Sequence, residues 1–275
     1  MKIAYLGPAC SFSYIAAKKA YDKERLLAYP SIIDCLQAVE NAKTDIAVVP
    51  IENSTEGTIT QTLDYLFQQS KLKILKELVL PIKQQFLIHF QNQGKQIEKI
   101  LSHPQAIAQS RKFLRESYPE TPVWHTSSTA NAAEYLKEHP AEKFAAVGSE
   151  FLAQMYNLLI LHRNIQDLKT NSTRFWVLRA KALHNHATLD KYSLTFTMPN
   201  NGPGVLNLAL CVFAKRNINL TKIESRPLKT VLGEYFFWID CANVSSEKLF
   251  NDALEELKSL GGRVTFLGSY EVVKL

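Results

Sequence analysis

One pattern recurs through residues 1–180 and limits what the chain can become: a short apolar strand, a polar turn, then a helix with an apolar stripe. Residues 2–6 form such a strand and stop at Gly7-Pro8. Ser11-Phe12-Ser13 then opens a helix through Ala16, Ala17 and Ala20, with Ser11 or Ser13 as its cap. Ser31 has Asp34 three residues on, a capping-box spacing, ahead of the stripe Ile32, Leu36 and Val39. Residues 46–49 are wholly apolar, as in a strand covered on both faces. They lead into Pro50-Ile51-Glu52-Asn53-Ser54-Thr55-Glu56-Gly57 and a helix bearing Ile59, Leu63, Leu66 and Phe67. The pattern then begins again. Residues 97–101 lead to Ser102-His103-Pro104-Gln105, residues 123–125 to Thr126-Ser127-Ser128-Thr129, and residues 144–147 to Gly148-Ser149. Alternation of this kind folds as α/β with mainly parallel strands. A region of this length is expected to form two lobes, roughly 1–78 with 168–180, and 79–167.

Residues 181–191 carry few large apolar side chains and no period, and mark a domain boundary. His184 and His186 lie there without a carboxylate or thiol cluster and read as linker, not metal ligands. The tail, 192–275, reads β-α-β-β-α-β. A strand at 192–198 is followed by Pro203-Gly204 and a helix with Leu206, Leu210 and Phe213 on one face, stopped by Asn217. Strands at 218–223 and 235–240 come next. A helix striped with Leu249, Ala253, Leu257 and Leu260 ends at Gly261-Gly262, and residues 264–267 close the sheet. This is the order of the ferredoxin-like split motif.

Composition removes several function classes. Basic residues exceed acidic ones for a net charge of +6, which favours anionic ligands, but they are scattered without the basic runs of a nucleic-acid binder. Nothing approaches the roughly 20 apolar residues of a membrane span, and the N-terminus enters a strand with no signal-peptide pattern. Cys10, Cys35, Cys211 and Cys241 lie far apart, so neither a disulfide framework nor a zinc site is expected. The expectation is a reduced, cytoplasmic protein.

The turns carry the chemistry. Ser11, Asn53, Ser54, Ser102, Gln105, Ser128 and Thr129 fall where strands hand over to helices. Helix N-termini there leave N–H groups for carboxylates, and in an open α/β sheet those turns gather where ligands bind. Asn171-Ser172-Thr173-Arg174-Phe175 adds an amide, two hydroxyls and a guanidinium at the start of another strand. With no Gly-rich phosphate loop, metal cluster or Ser-His-Asp set, a reaction here must run on hydrogen bonds, electrostatics and positioning. Thr173, Glu56 and an inward-facing His103 are the candidate proton donors. A helix dipole at Glu56 favours a binding or orienting role, and Pro104 marks His103 as a cap.

At these residues the chain resembles the prephenate dehydratases over essentially its whole length. The family's motifs stand as Pro50-Ile51-Glu52-Asn53-Ser54, Ser102-His103-Pro104-Gln105-Ala106, Ser128-Thr129-Ala130 and Thr173-Arg174-Phe175. The tail resembles the family's ACT regulatory domain through Pro203-Gly204-Val205-Leu206, residues 219–227 and Tyr235-Phe236-Phe237. The resemblance implies a catalytic region of two lobes like a periplasmic binding protein and decarboxylative dehydration of prephenate without a cofactor or metal. It implies Thr173 as the catalytic donor, with Glu56, Arg174 and Phe175 joining the turn residues around the substrate. It also implies L-phenylalanine as an inhibitor held near Gly204, Val205, Leu206, Asn219, Leu220, Glu224, Ser225, Arg226 and Pro227. Sheets of the tail's type pair edge to edge, so a homodimer or homotetramer is expected. The chain departs from the family at Cys10, where Gly is usual, at Ser11, where Thr is common, and at Val205, where Ala is usual. Arogenate dehydratase and a non-catalytic amino-acid sensor are the competing readings.

Overall fold

The computed structural model describes residues 1–68, 70–180, 189–199, 202–228, 234–242 and 244–275. Most of the expected linker, residues 181–188 with His184 and His186, lies outside the described residues. The chain forms two compact units. The first comprises Met1–Thr62, Leu78–Trp176 and Lys274–Leu275, the second Leu63–Glu77 and Val177–Val273. Of the residues assigned to the two lobes, 1–62 and 78–176 fall in the first unit, whereas 63–77 and 177–180 group with the second.

The chain begins with β1 (Lys2–Leu6), α1 (Phe12–Ala20), β2 (Arg25–Tyr29), α2 (Ile32–Glu40), β3 (Ile46–Asn53), β4 (Gly57–Thr58), α3 (Thr60–Gln68) and β5 (Lys73–Pro81). Next come β6 (Gln85–Ile88), β7 (Lys99–Ser102), α4 (Pro104–Gln109), α5 (Arg111–Ser117), β8 (Val123–His125), α6 (Thr129–Glu138), β9 (Phe144–Gly148), α7 (Glu150–Tyr156) and β10 (Leu159–His162). Strand β11 (Ser172–Arg179) follows.

The first unit holds two sheets. In one, β11 lies between β5 and β3, and β3 is followed by β1 and β2. Strand β1 runs parallel to both β2 and β3, with Ile3 opposite Ile46. In the other, the order is β10-β6-β9-β7-β8; β7 is parallel to β8 and β9, while β6 and β10 run antiparallel. Parallel pairing therefore joins β1 to β2 and β3 in one sheet and β7 to β8 and β9 in the other. The wholly apolar runs are the buried centres, with Ala47, Val48, Val49, Ala145, Ala146 and Val147 all inaccessible to solvent. Three helix starts are capped by serine: Ser11, one of the two candidates, accepts from Tyr14 N–H at 3.2 Å, Ser31 from Asp34 N–H at 3.1 Å, and Ser128, within the polar turn 126–129, from Asn131 N–H at 3.0 Å. Each stabilises its helix by about 1 kcal/mol. Cys10 sits at φ 68°, so the turn keeps the left-handed geometry that glycine normally supplies. Its side chain is buried among Leu87, Leu101, Ala133 and Leu152, residues associated with the second sheet.

The second unit contains β12 (Lys191–Thr197), α8 (Val205–Ala214), β13 (Asn219–Pro227), β14 (Tyr235–Ala242), α9 (Glu247–Ser259) and β15 (Arg263–Lys274, of which Lys274 counts with the first unit). Its antiparallel strands run β13-β14-β12-β15, and both helices share one core with Phe196, Phe213, Phe250 and Leu257. The ferredoxin-like order is as expected. Strand β15 is longer than residues 264–267, and α8 stops at Ala214, with Asn217 left-handed just beyond at φ 56°. Residues 63–77 are integral to this unit: Phe67 stacks on Phe236 with centroids 3.9 Å apart, and the fully buried Glu77 pairs with Lys191 at 2.8 Å. No helix among the described residues is long and apolar enough to cross a membrane.

Candidate active site

Strands β3 and β11 are neighbours, which sets Asn53 at the end of one beside Asn171 and Thr173 at the start of the other. Asn53 is buried, and its Oδ1 accepts hydrogen bonds from Thr55 N–H at 3.0 Å and Glu56 N–H at 3.2 Å. Two backbone donors on that oxygen fix which way the amide points. Its Nδ2 then donates to Asn171 Oδ1 at 3.0 Å and to Thr173 Oγ1 at 2.9 Å. Thr173 thus receives a hydrogen on its oxygen and keeps its own proton to give. Accepting one hydrogen bond polarises the hydroxyl for donating another.

Thr173 lines a cavity of about 340 Å³ between the two sheets of the first unit. Of the residues picked out from sequence, Ser11, Asn53, Gln105, Ser128, Thr129, Thr173 and Phe175 line it. Ser11 and Ser128 start α1 and α6, so the N–H ends of two helices lie at this cavity. Phe175, 1% exposed, forms wall.

Four others hold the frame and do not line the cavity. Ser54 donates to Asn171 Oδ1 at 3.3 Å and accepts from Ser172 N–H at 3.0 Å. Ser102 is fully buried and donates to the Val147 carbonyl at 2.6 Å, leaving His103 to cap α4. Glu56 is exposed and accepts from Gln109 Nε2 at 3.4 Å. Arg174 pairs with Glu52 at 2.6 Å, both half-buried.

Two lining residues deserve more weight than their sequence context gave them. The His103 ring accepts from Gln105 N–H at 3.2 Å through Nδ1, so the neutral ring carries its proton on Nε2 while lining the cavity. The residue is a cap and a wall at once. Gln84 is 1% exposed, and its Nε2 donates to Gln109 Oε1 at 3.1 Å. Because Gln109 turns its NH2 to Glu56, its oxygen must face Gln84, and Gln84 Oε1 is left buried without a partner among the described residues. Among the described residues no group of His, Cys, Asp and Glu is arranged to hold a metal.

In the second unit, Gly204 (φ 84°) opens α8, with Val205 and Leu206 in its first turn. Asn219 and Leu220 begin β13, and Glu224, Ser225, Arg226 and Pro227 lie towards its other end. Two charged groups are already engaged: Glu224 lies 3.5 Å from Lys222, and the Arg226 guanidinium grips both oxygens of Asp64 at 3.1 Å.

Hydroxyls, amides and two helix N-termini thus wall a cavity in the first unit, on a chain that also carries a ferredoxin-like module. A family model described as prephenate dehydratase matches residues 3–183, and one described as ACT domain matches 192–260. The chain belongs to the prephenate dehydratase family of hydro-lyases. It is 50% identical to the prephenate dehydratase of Lactococcus lactis subsp. lactis, over 100% of this chain and 99% of the relative. The prephenate dehydratase of Bacillus subtilis is 37% identical over the full length of both. The crystal structure of the Arthrobacter aurescens prephenate dehydratase in complex with L-Phe superposes with a TM-score of 0.88 at 32% identity, covering 98% of this chain and 90% of that one.

Proposed function

We propose that this chain converts prephenate to phenylpyruvate, CO2 and water in the making of L-phenylalanine, with residues 1–180 as a two-lobed catalytic region and 192–275 as its regulatory domain. The observation that carries the catalytic reading is the Asn53-to-Thr173 hydrogen bond inside the cavity. Prephenate carries two carboxylates and a hydroxyl on a cyclohexadiene ring. The electron pair of the ring-to-carboxylate bond moves into the ring as CO2 leaves, and the C–O bond breaks at the opposite carbon. The departing oxygen takes up one proton, supplied in net by solvent, and leaves as water. Aromatisation drives the step, so the protein need only orient the substrate and supply a donor.

Thr173 is that donor. An alkyl hydroxyl is a weak acid, so it works by a hydrogen bond that strengthens as negative charge grows on the departing oxygen. Ser11, Gln105, Ser128 and Thr129 meet the carboxylates beside the N-termini of α1 and α6. Arg174, held by Glu52, keeps the start of β11 in place, while Ser54 and Ser102 fix their turns.

For the tail, a relative solved with L-Phe supports an effector role for this ligand here. Strand β13 ends its sheet, and Ile223 is 44% exposed, which supports pairing with a second copy as a homodimer or homotetramer. A biosynthetic role of this kind supports a cytoplasmic location. The test is to mix the purified chain with prephenate, follow phenylpyruvate, and repeat with added L-phenylalanine. Product that falls as L-phenylalanine rises is expected. Turnover of arogenate in preference to prephenate would replace the substrate, and no turnover of either would leave the sensor reading.

A further inference from the structure

Asn171 is 3% exposed and is not part of the cavity wall, so it meets no substrate there. Its backbone is fixed on both sides: the N–H donates to the Leu168 carbonyl at 3.3 Å, and the carbonyl accepts from Ile82 N–H at 2.9 Å. Residues two apart in extended chain point to the same face. Asn171, immediately before β11, and Thr173, near its start, therefore lie on one side, where Asn53 on the neighbouring β3 reaches both.

The count of hydrogens at Asn53 makes this arrangement selective. Its Oδ1 is held by the Thr55 and Glu56 N–H groups, which leaves Nδ2 with two hydrogens to give. Three acceptors lie within reach of that nitrogen: Thr173 Oγ1 at 2.9 Å, Asn171 Oδ1 at 3.0 Å and the Ser172 carbonyl at 3.4 Å. Thr173 and Asn171 take the two short bonds. The identity of the Asn171 atoms follows in turn, because only its oxygen can face a donor; the same oxygen accepts from Ser54 Oγ at 3.3 Å. The Ser172 carbonyl already accepts from Ser54 N–H at 2.9 Å but has a second lone pair. With Asn171 Oδ1 gone, the freed hydrogen has that carbonyl as its remaining acceptor, and the amide is drawn off Thr173.

We propose that Asn171 is a positioning residue for the reaction. Its side-chain oxygen holds one Asn53 hydrogen, so that the other stays on Thr173 Oγ1 and the Thr173 proton stays free for the departing oxygen. Asn171 acts through Asn53 and Thr173, and the assignment rests on Thr173 being the donor. Position 171 needs an acceptor and no donor. Aspartate, of the same shape, meets that need, and an apolar side chain does not.

The experiment measures kcat and KM for prephenate with full-length Asn171→Leu, Asn171→Asp and Thr173→Ala, each per folded molecule. Asn171→Leu should lower kcat about 10–100-fold, the scale of one well-placed hydrogen bond, and leave KM within about threefold. Asn171→Asp should keep kcat within about threefold of native, its added charge raising KM for a dianionic substrate. Native-like kcat in Asn171→Leu, a change in its KM instead of its kcat, or an equally low kcat in Asn171→Asp would each overturn the proposal. So would a greater loss in Asn171→Leu than in Thr173→Ala, since a residue acting through Thr173 cannot cost more than Thr173 itself. If Asn171→Leu does not fold, Asn171→Ser, whose hydroxyl falls short of Asn53, carries the same expectation. Near-native kcat in Thr173→Ala is a separate result, and it would remove the donor assignment.

Discussion

Two buried polar clusters in this molecule use similar side chains to opposite ends. In the second unit, the fully buried Asp240 accepts from Ser193 Oγ at 2.5 Å and from Trp238 Nε1 at 2.8 Å, and Ser193 also bonds the Tyr270 hydroxyl at 2.6 Å. That cluster is closed: its donors and acceptors answer one another inside the core. The corner formed by Asn53, Asn171 and Thr173 is as tightly bonded on one side, yet Thr173 lines an open cavity. Closed clusters fix a fold; open ones await a ligand. Residue type does not separate the two. Completeness of the bonding does.

Three substitutions test the contrast, the largest effect first. Thr173→Ala should lower kcat by about 10²–10⁴-fold, read as phenylpyruvate formation, while moving the melting temperature little. A folded variant with near-normal turnover would remove Thr173 from its role. Asp240→Ala should do the reverse, costing about 3 kcal/mol in denaturant unfolding because two buried donors lose their acceptor. Turnover per folded molecule should be largely kept. Gln84→Leu removes an unmatched buried oxygen but also the donor to Gln109 Oε1, so stability should change by no more than about 1 kcal/mol, while kcat/KM falls by less than in Thr173→Ala. A loss of both activity and stability at Gln84 would make it part of the frame instead.

Legibility from sequence followed the same division. Caps such as Ser11, Ser31 and Ser128 are local, and each was readable from its own turn. So were the apolar centres of β3 and β9 and the split β-α-β order of the tail. Strand β5 was not, because Lys73, Lys76 and Glu77 give it the look of a solvated segment. Those charges meet distant partners: Lys73 the Phe266 carbonyl, Lys76 Glu271 and Glu77 Lys191. The site split likewise. Asn53 and Thr173 stood out through family motifs, but their bond joins residues far apart in the chain and no spacing announces it. Gln84 was invisible for a related reason. Lys83-Gln84-Gln85 reads as a polar connector, and only the relay through Gln109 to Glu56 shows one amide oxygen left over. Arg226, expected at the effector site, lies next to Pro227 and the effector motif, and the sequence offers no sign that Asp64 engages it.

Cys10 lends itself to one more use. It follows the first strand of one sheet, yet its side chain, 3% exposed, is embedded in the cluster associated with the other. Burial, with a smaller contribution from Glu134, pushes its thiol pKa up, so in the closed arrangement it is neutral and shielded from alkylating reagents. Any excursion that parts the two sheets withdraws this thiol from its socket. The rate at which it is labelled is then a built-in clock for how often the cleft opens, and a ligand that clamps the cleft should slow that clock.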